Sequence, residues 1–104
     1  MDIHFFNEEL EEFIRDLRKP EIAKVLRTID LLEKFGNRLG MPHSKPLKDG
    51  IFELRMRGVQ EIRILYTFQK QSAVLLVGFV KKTQKTPARY LALALMNKKQ
   101  LDEI

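Results

Sequence analysis

The sequence predicts an α+β fold: a short first strand, two helices, an antiparallel meander of three strands and a last helix. Three observations support it. Apolar residues recur at helical spacing over residues 8–35, they alternate with polar residues over residues 51–68, and a stretch rich in Ala and Leu follows residue 87. The chain has 104 residues, so we expect one domain across residues 1–104.

The first part of the chain contains the predicted first strand and the helix pair. Residues 3–6 form a short apolar run, and Asn7 is suited to cap the helix that follows. Pro20 ends this helix and fits the first turn of the next one, for which Gly36 is a favourable stop. The apolar stripes of both helices predict an antiparallel pair that packs on one face of the sheet.

The meander is predicted from residue 51 onward. Residues 37–47 contain two prolines and a glycine, and we expect them to form a loop. Residues 51–57 and 62–68 alternate between apolar and polar side chains, so each strand has a core face and an outward face. Residues 73–80 are apolar on both faces, which indicates the most central strand.

The last helix is predicted over residues 88–99. Thr86 is expected to be its N-cap, with Pro87 in the first helical position. Helices are expected to cover only one face of the sheet. The other face would then be left to outward arginines of the meander and their neighbours.

Charge is distributed unevenly along the chain. Residues 1–42 contain seven Lys or Arg and nine Asp or Glu, whereas residues 43–90 contain ten and three, a net charge of +7. This asymmetry indicates a polyanionic partner, although a basic face kept for solubility gives the same count. No stretch approaches the ~20 apolar residues of a membrane span, so we expect no membrane partner. Cysteine is absent, which excludes disulfides and thiol nucleophiles and suits a cytoplasmic location.

Arg55 and Arg63 fall on the outward faces of the two arms of one predicted hairpin. Facing residues there stand about 5 Å apart, and like charges at that spacing are destabilising. An anion between them would relieve this cost, and arginine binds phosphate bidentately. The pair therefore predicts a phosphate site. Glu53 leaves an alternative open, in which these side chains form a surface ion-pair network.

Lys81, Lys82 and Lys85 lie between the third meander strand and the N-terminus of the last helix, where the helix dipole also favours anions. The sequence has no paired-histidine nuclease signature and no acidic cluster, so we expect no metal and no cofactor. If RNA is cut, its own 2′-hydroxyl would attack the adjacent phosphate while the protein supplies positive charge. The general base is left open between a lysine among other cations, Glu53 and Tyr90.

Residues 45–55, KPLKDGIFELR, resemble a stretch of the RelE/HigB-type toxins, in particular their phage-derived subgroup. Residues 61–66 and 75–87 are similar to later segments of the same family. The resemblance implies a RelE-like β-α-α-β-β-β-α order. It also implies the toxin of a type II toxin–antitoxin pair, a metal-independent endoribonuclease that cuts mRNA on the translating ribosome. Its expected partners are mRNA, the ribosome and a cognate antitoxin, commonly a helix-turn-helix protein.

The resemblance also implies a set of site residues. Basic residues of the sheet and a tyrosine near the last helix are expected to be catalytic, namely Arg55, Arg63, Lys81, Lys82 and Tyr90. Surrounding basic residues are expected to bind RNA, namely Lys45, Lys48, Arg57, Lys85 and Arg89. Glu53 departs from RelE, which carries a lysine there. Two other hypotheses use the same basic face without catalysis: a module that binds RNA or DNA, and a subunit that receives an acidic protein partner.

Overall fold

A computed structural model describes residues 1–103, and its mixed α+β architecture confirms the predicted fold class. These 103 residues form three α-helices, a short 3-10 turn at Gly36–Arg38 and a five-stranded sheet. In chain order the elements are β1 (Asp2–Phe5), α1 (Glu8–Arg15), α2 (Lys19–Phe35), β2 (Ser44–Pro46), β3 (Phe52–Met56), β4 (Glu61–Gln69), β5 (Ser72–Lys81) and α3 (Ala88–Asp102). No helix in this part of the chain is long and apolar enough to cross a bilayer.

The strands are arranged in the order β1-β5-β4-β3-β2. The first strand pairs with β5 in parallel, and every other neighbouring pair is antiparallel. The middle strand is therefore β4, not β5 as predicted. Both strands have neighbours on each side. Because β4 carries Arg63 and Thr67 on one face, its sequence is less apolar than that of β5, although it is the more central strand.

The strand β2 corrects the prediction that residues 37–47 form a loop. Ser44 to Pro46 pair antiparallel with β3 and close one edge of the sheet. The strand has only three residues, and Pro46 lacks a backbone N–H, which an edge position tolerates. A strand this short has no alternation that could reveal it. The order after the two helices is thus four strands and a helix, not three strands and a helix.

The helices α1 and α2 pack on one face of the sheet, as predicted. Asn7 caps α1, because its side-chain oxygen accepts a hydrogen bond from the backbone N–H of Leu10 at 3.0 Å. Pro20 lies in the first turn of α2, and Gly36 ends α2 with a φ of 57°. The prediction that Pro20 ends the first helix is wrong, because α1 already ends at Arg15 and the N–H of Leu17 bonds to the carbonyl of Ile14 in a tighter turn. The core on this face includes Val25, Leu32, Leu54 and Ile64, all fully buried.

The second face of the sheet is also covered in part, which corrects the prediction of helices on one face only. The helix α3 packs over β5 and β4, and its Ala94 is fully buried against Leu65 and Leu76. The reason is that β5 is apolar on both faces, so both need cover. Because α3 begins only at Ala88, the corner of this face around Arg55 and Arg63 has no helix over it.

Candidate active-site cleft

An open cleft of about 480 Å³ lies at the corner that α3 leaves uncovered. It forms where β3 ends, β4 begins and β5 leads into the loop before α3. Its lining is almost entirely charged or polar and consists of Arg55, Arg57, Glu61, Arg63, Lys81, Lys82, Thr83 and Gln84. The cleft therefore collects cations from three strands and one loop, and we call it the basic cleft.

Arg55 and Arg63 lie directly opposite each other in the register of β3 and β4, as predicted. The anion that faces both arginines is a carboxylate of the protein, that of Glu53. One carboxylate oxygen of Glu53 lies 3.8 Å from the Nε atom of Arg55 and 3.8 Å from the Nε atom of Arg63. The alternative of an ion-pair network is therefore confirmed in part. The network is not on the surface, because Glu53 is only 2% exposed.

Glu53 also receives a hydrogen bond from the hydroxyl of Thr86. This contact corrects the prediction that Thr86 caps the last helix. Pro87 occupies the N-cap position, α3 starts at Ala88, and no side chain provides the capping hydrogen bond. A hydroxyl with a buried carboxylate in reach gains more from that charged acceptor than from a backbone N–H at an exposed helix end. The loop before α3 is thereby fastened to the sheet.

Arg63 is much less accessible than its predicted outward position implied. Its side chain is 1% exposed, and its guanidinium donates to the Glu61 carboxylate at 3.1 Å and to the Ile62 carbonyl at 3.0 Å. The hydrogen bond from Arg63 and its positive charge hold the pKa of Glu61 below the ordinary value of 4.5. Arg63 thus forms the wall of the cleft and orders the groups around it.

Arg55 has more freedom than Arg63. Its side chain is 12% exposed, and one guanidinium nitrogen contacts the sulfur of Met41 at 3.3 Å. Within residues 1–103, the Nε atoms of both arginines are buried and have no hydrogen-bond partner. Both face Glu53 at ion-pair distance only, so neither N–H is fully satisfied.

The accessible cations of the cleft are Arg57, Lys81 and Lys82. Arg57 and Lys82 are exposed, and Lys81 is partly exposed at the end of β5, directly opposite Glu61 in the strand register. Five cations line the cleft against one lining carboxylate, Glu61, and the buried Glu53. This excess of positive charge favours binding of an anionic ligand such as a phosphodiester.

Tyr90 does not line the basic cleft. Its ring stacks on Phe79 with centroids 4.1 Å apart, and Arg89 lies over the ring and donates to the hydroxyl at 3.2 Å. These side chains border a neighbouring depression of about 340 Å³. Lys82 and Thr83 line both the depression and the basic cleft, so the two are contiguous.

Three more of the predicted RNA-binding residues also lie outside the cleft lining. Lys45 is exposed on β2, opposite Glu53 in register, and Lys48 is exposed in the segment that connects β2 to β3. Lys85 is exposed in the loop before α3. The structure therefore brings together Arg55, Arg57, Arg63, Lys81 and Lys82, and does not place Tyr90, Arg89, Lys45, Lys48 or Lys85 with them.

Sequence reasoning missed the polar residues of the cleft. Strand alternation puts Glu61 on the face of Arg63, and this spacing of two was a signal that could have identified it. Thr83 and Gln84 lie in an irregular loop and have no such signal. Across the described residues, no group of three or more His, Cys, Asp or Glu side chains is arranged to hold a metal ion.

Comparisons with known proteins point to one family. No curated protein matches the chain. The family described as phage derived protein Gp49-like (DUF891) matches residues 12–99. This stretch includes the second half of α1, all of α2, the whole meander and most of α3. Because the match spans most of the chain, the protein belongs to the Gp49-like family, a toxin-like family of the RelE/HigB type.

Proposed function

We propose that the protein is the toxin of a toxin–antitoxin pair and cuts mRNA on the translating ribosome. The observation that carries the proposal is the basic cleft itself, in which cations of three strands and a loop surround one open volume in a chain of a toxin-like family. The helix pair, the meander and the last helix also agree with a RelE-like arrangement, with β2 as an additional edge strand. Because translating ribosomes and their mRNA are in the cytoplasm, we expect the protein to act there.

The proposed chemistry is attack by a 2′-hydroxyl of the RNA on the adjacent phosphate. The transition state carries more negative charge on the phosphoryl oxygens than the ground state, so fixed positive charge stabilises it selectively. Arg55 is suited to this role because its side chain is partly exposed in the cleft, whereas that of Arg63 is almost completely buried. Lys81 and Lys82 lie across the cleft from it and would contact the same phosphate or its neighbour.

Arg63 is proposed as a positioning residue. With a side chain that is 1% exposed, it has almost no surface to offer a substrate. Instead it holds Glu61 by a hydrogen bond and Glu53 by charge, and Glu53 in turn holds Arg55 and Thr86. This arrangement keeps the guanidinium of Arg55 in place before RNA arrives, which lowers the cost of ordering it during the reaction.

The general base is proposed among the groups that line the cleft. Tyr90 lines the neighbouring depression and not the basic cleft, and Glu53 is buried beneath the arginines. Glu61 lines the cleft, but its carboxylate accepts a hydrogen bond from Arg63 and its pKa is lowered, which makes it a weak base. Lys81 and Lys82 also line the cleft, and a neutral lysine amine can accept the 2′-proton. The proposed leaving 5′-oxygen would take its proton from solvent or from the other lysine.

The proposed partners are mRNA, the ribosome and a cognate antitoxin, for which a helix-turn-helix protein is the expectation. A translating extract tests the enzymatic part directly. Addition of the purified protein should stop protein synthesis and create new mRNA 5′ ends within coding regions, whereas an Arg55→Ala variant should do so much more slowly. Unchanged synthesis and unchanged 5′ ends at saturating protein would exclude the activity.

A second candidate function is a nucleic-acid-binding module of the same fold without catalysis. Two observations favour it: Tyr90 lies outside the cleft, and Glu53 stands where the resemblance expects a lysine. Salt-dependent binding to ribosomes or RNA with intact mRNA would identify this function. Cleavage that disappears with Arg55→Ala would reject it.

A further inference from the structure

A second pocket adjoins the basic cleft on the side of α2. Its volume is about 260 Å³, and it lies between α2, the segment that precedes β2 and the end of β3. Met56, Leu31 and Pro42 give it an apolar lining, and Met56 is buried at 3% exposure. Lys24 and Arg27 are exposed at its rim, and His43 completes the wall. We call it the α2 pocket.

The α2 pocket and the basic cleft share two residues. Arg55 and Arg57 line both volumes, so the two volumes adjoin at the end of β3. Lys24 holds α2 to this end of β3, because its ammonium group donates to the backbone carbonyl of Arg57 at 2.7 Å. A chain molecule with a phosphate in the basic cleft would therefore have its next unit at the mouth of the α2 pocket.

We propose that the α2 pocket binds one unstacked nucleobase of the RNA strand whose phosphate occupies the basic cleft. The inference rests on the proposed function for its ligand, single-stranded RNA, but not for cleavage. A phosphate alone needs cations and gains nothing from an apolar lining. A base needs an apolar surface of its own size, and the neighbouring phosphates need the cations at the rim.

Arg27 is the rim residue best placed to act on the base. It is exposed, and within residues 1–103 it has no ion-pair partner that would hold it elsewhere. A planar guanidinium can stack on the face of any base or pair with the phosphate that follows it. Met56 and Leu31 would support the opposite face, so the base would be held between apolar side chains and a cation.

The test uses a pair of short oligoribonucleotides that cannot be cut because every 2′-hydroxyl is methylated. One member of the pair is complete, and the other lacks a single base at one position. Fluorescence anisotropy at low salt should show that the wild-type protein binds the complete strand about fivefold or more tightly than the strand with the best-placed missing base. This readout does not depend on cleavage.

The key variant is Leu31→Trp, which fills the pocket from a partly exposed position on α2. Its matched control is Leu26→Trp, on the same helix but 52% exposed and outside the pocket. Leu31→Trp should abolish the preference for the complete strand, and Leu26→Trp should retain it. If Leu31→Trp unfolds, Arg27→Ala serves instead, with Lys34→Ala on the same helix as its control.

The outcomes separate this inference from the proposed function. Base-dependent binding without mRNA cleavage would support base binding in the α2 pocket and would contradict the proposed nuclease activity. If the wild-type protein cleaves mRNA but binds complete and base-deleted strands equally, base binding in the α2 pocket is wrong and the nuclease activity stands. If Leu31→Trp and Leu26→Trp show the same preference for the complete strand, base binding in the α2 pocket is also wrong. A protein partner would then be the alternative occupant of the pocket.

Discussion

The hydroxyl of Thr86 donates a hydrogen bond to the carboxylate of Glu53, which lies 33 residues earlier in the chain. The same carboxylate is 3.8 Å from the Nε atoms of both Arg55 and Arg63. One buried acid therefore joins β3, β4 and the loop before α3. Glu53, where the resemblance to RelE led us to expect a lysine, thus contacts residues from three parts of the fold, and this has consequences for stability.

We expect Glu53→Gln to destabilise the fold. The change keeps the shape of the side chain but removes the charge that faces two arginines, one of which is 1% exposed. Removing one partner from a buried ion pair costs about 3–5 kcal/mol, and we expect a loss near the lower figure because Glu61 still pairs with Arg63. Urea unfolding measures the change.

The matched control is Glu12→Gln, an exposed position on α1. It should change the free energy of unfolding by less than about 0.5 kcal/mol. Thr86→Val tests the other end of the contact and should cost about 1–3 kcal/mol. If Glu53→Gln is as stable as the wild type, the buried acid does not hold the cleft together.

Arg55→Ala and Arg63→Ala should have different effects. Arg55 is partly exposed, so its loss should slow RNA cleavage about 10- to 150-fold, the equivalent of 1.5–3 kcal/mol for a charged hydrogen bond. Its loss should lower the free energy of unfolding less than the loss of Arg63 does, because Glu53 keeps Arg63 as a partner. Arg63 is buried, so its loss should lower both activity and the free energy of unfolding, the latter by about 3 kcal/mol.

Cleavage rates and thermal unfolding, measured on the same preparations, distinguish the two variants. Lys99→Ala, on an exposed part of α3, is the control for loss of a positive charge and should leave both quantities unchanged. An Arg63→Ala protein that is fully stable yet inactive would show that Arg63 contacts RNA and is not a positioning residue.

The sequence was sufficient for most of the fold because its signals are local. Asn7 and Gly36 act within one helical turn, and each does in the structure what its residue type predicts. Pro20 lies in the first turn of α2 as predicted, but it does not end α1. The register that sets Arg55 opposite Arg63 follows from strand alternation and a short turn. By contrast, β2 consists of three residues at an edge, and nothing in its own sequence marks it as a strand.

The candidate site was predicted less completely, because its key contacts join distant parts of the chain. Alternation placed Glu53, Arg55 and Arg63 on one face but did not show that this face is buried there. The contact from Thr86 depends on where α3 begins and how the loop returns over the sheet. Tyr90 was expected in the site by resemblance, yet its ring is held against Phe79.

Glu61 should give the protein an acid-dependent stability. Arg63 lowers the pKa of this carboxyl in the folded state, so the ion pair contributes fully above the ordinary pKa of 4.5 and is lost as the pH falls through the lowered value. Carbon-detected NMR titration should find Glu61 titrating below 4.5. Glu61→Gln should reduce the acid sensitivity of unfolding, whereas Glu12→Gln should not alter the titration of Glu61.

The buried hydrogen bond between Ser44 and Tyr66 should fasten β2 to the core. The two side-chain oxygens lie 2.6 Å apart. Ser44→Ala or Tyr66→Phe alone leaves one buried hydroxyl unpaired and should cost about 1–3 kcal/mol in urea unfolding. The double variant should cost less than the sum of the two, because no unpaired group remains. Strict additivity would show that the bond contributes nothing.

Alkaline pH tests the same pair. Burial raises the pKa of the Tyr66 hydroxyl above the ordinary value of 10.0, while the hydrogen bond with Ser44 acts in the opposite direction. The unfolded phenol loses its proton first, so stability should decline as the pH rises from about 10 towards the raised pKa. Tyr66→Phe should remove that part of the decline, and a variant with an unchanged alkaline profile would contradict the assignment.

Replacement of the cleft lysines by arginine separates charge from proton transfer. Lys81→Arg and Lys82→Arg keep the positive charge beside the scissile phosphate, but arginine cannot be deprotonated in proteins and so cannot act as a base. If one lysine is the base, its arginine variant should lose about 100-fold or more in cleavage rate, and the other variant should remain close to wild type. Single-turnover cleavage on ribosome complexes measures this step.

The pH dependence of the cleavage rate is a stronger test of which lysine is the general base than the rate at a single pH. If one of these lysines is the base, its arginine variant should lose the pH dependence that the wild-type cleavage rate shows. Lys99→Arg, outside the cleft, should keep both the rate and the profile. If both cleft variants keep the wild-type profile, neither lysine takes the proton. Lys81 and Lys82 then contribute only charge, and the base is Glu61 or a group of the RNA or the ribosome.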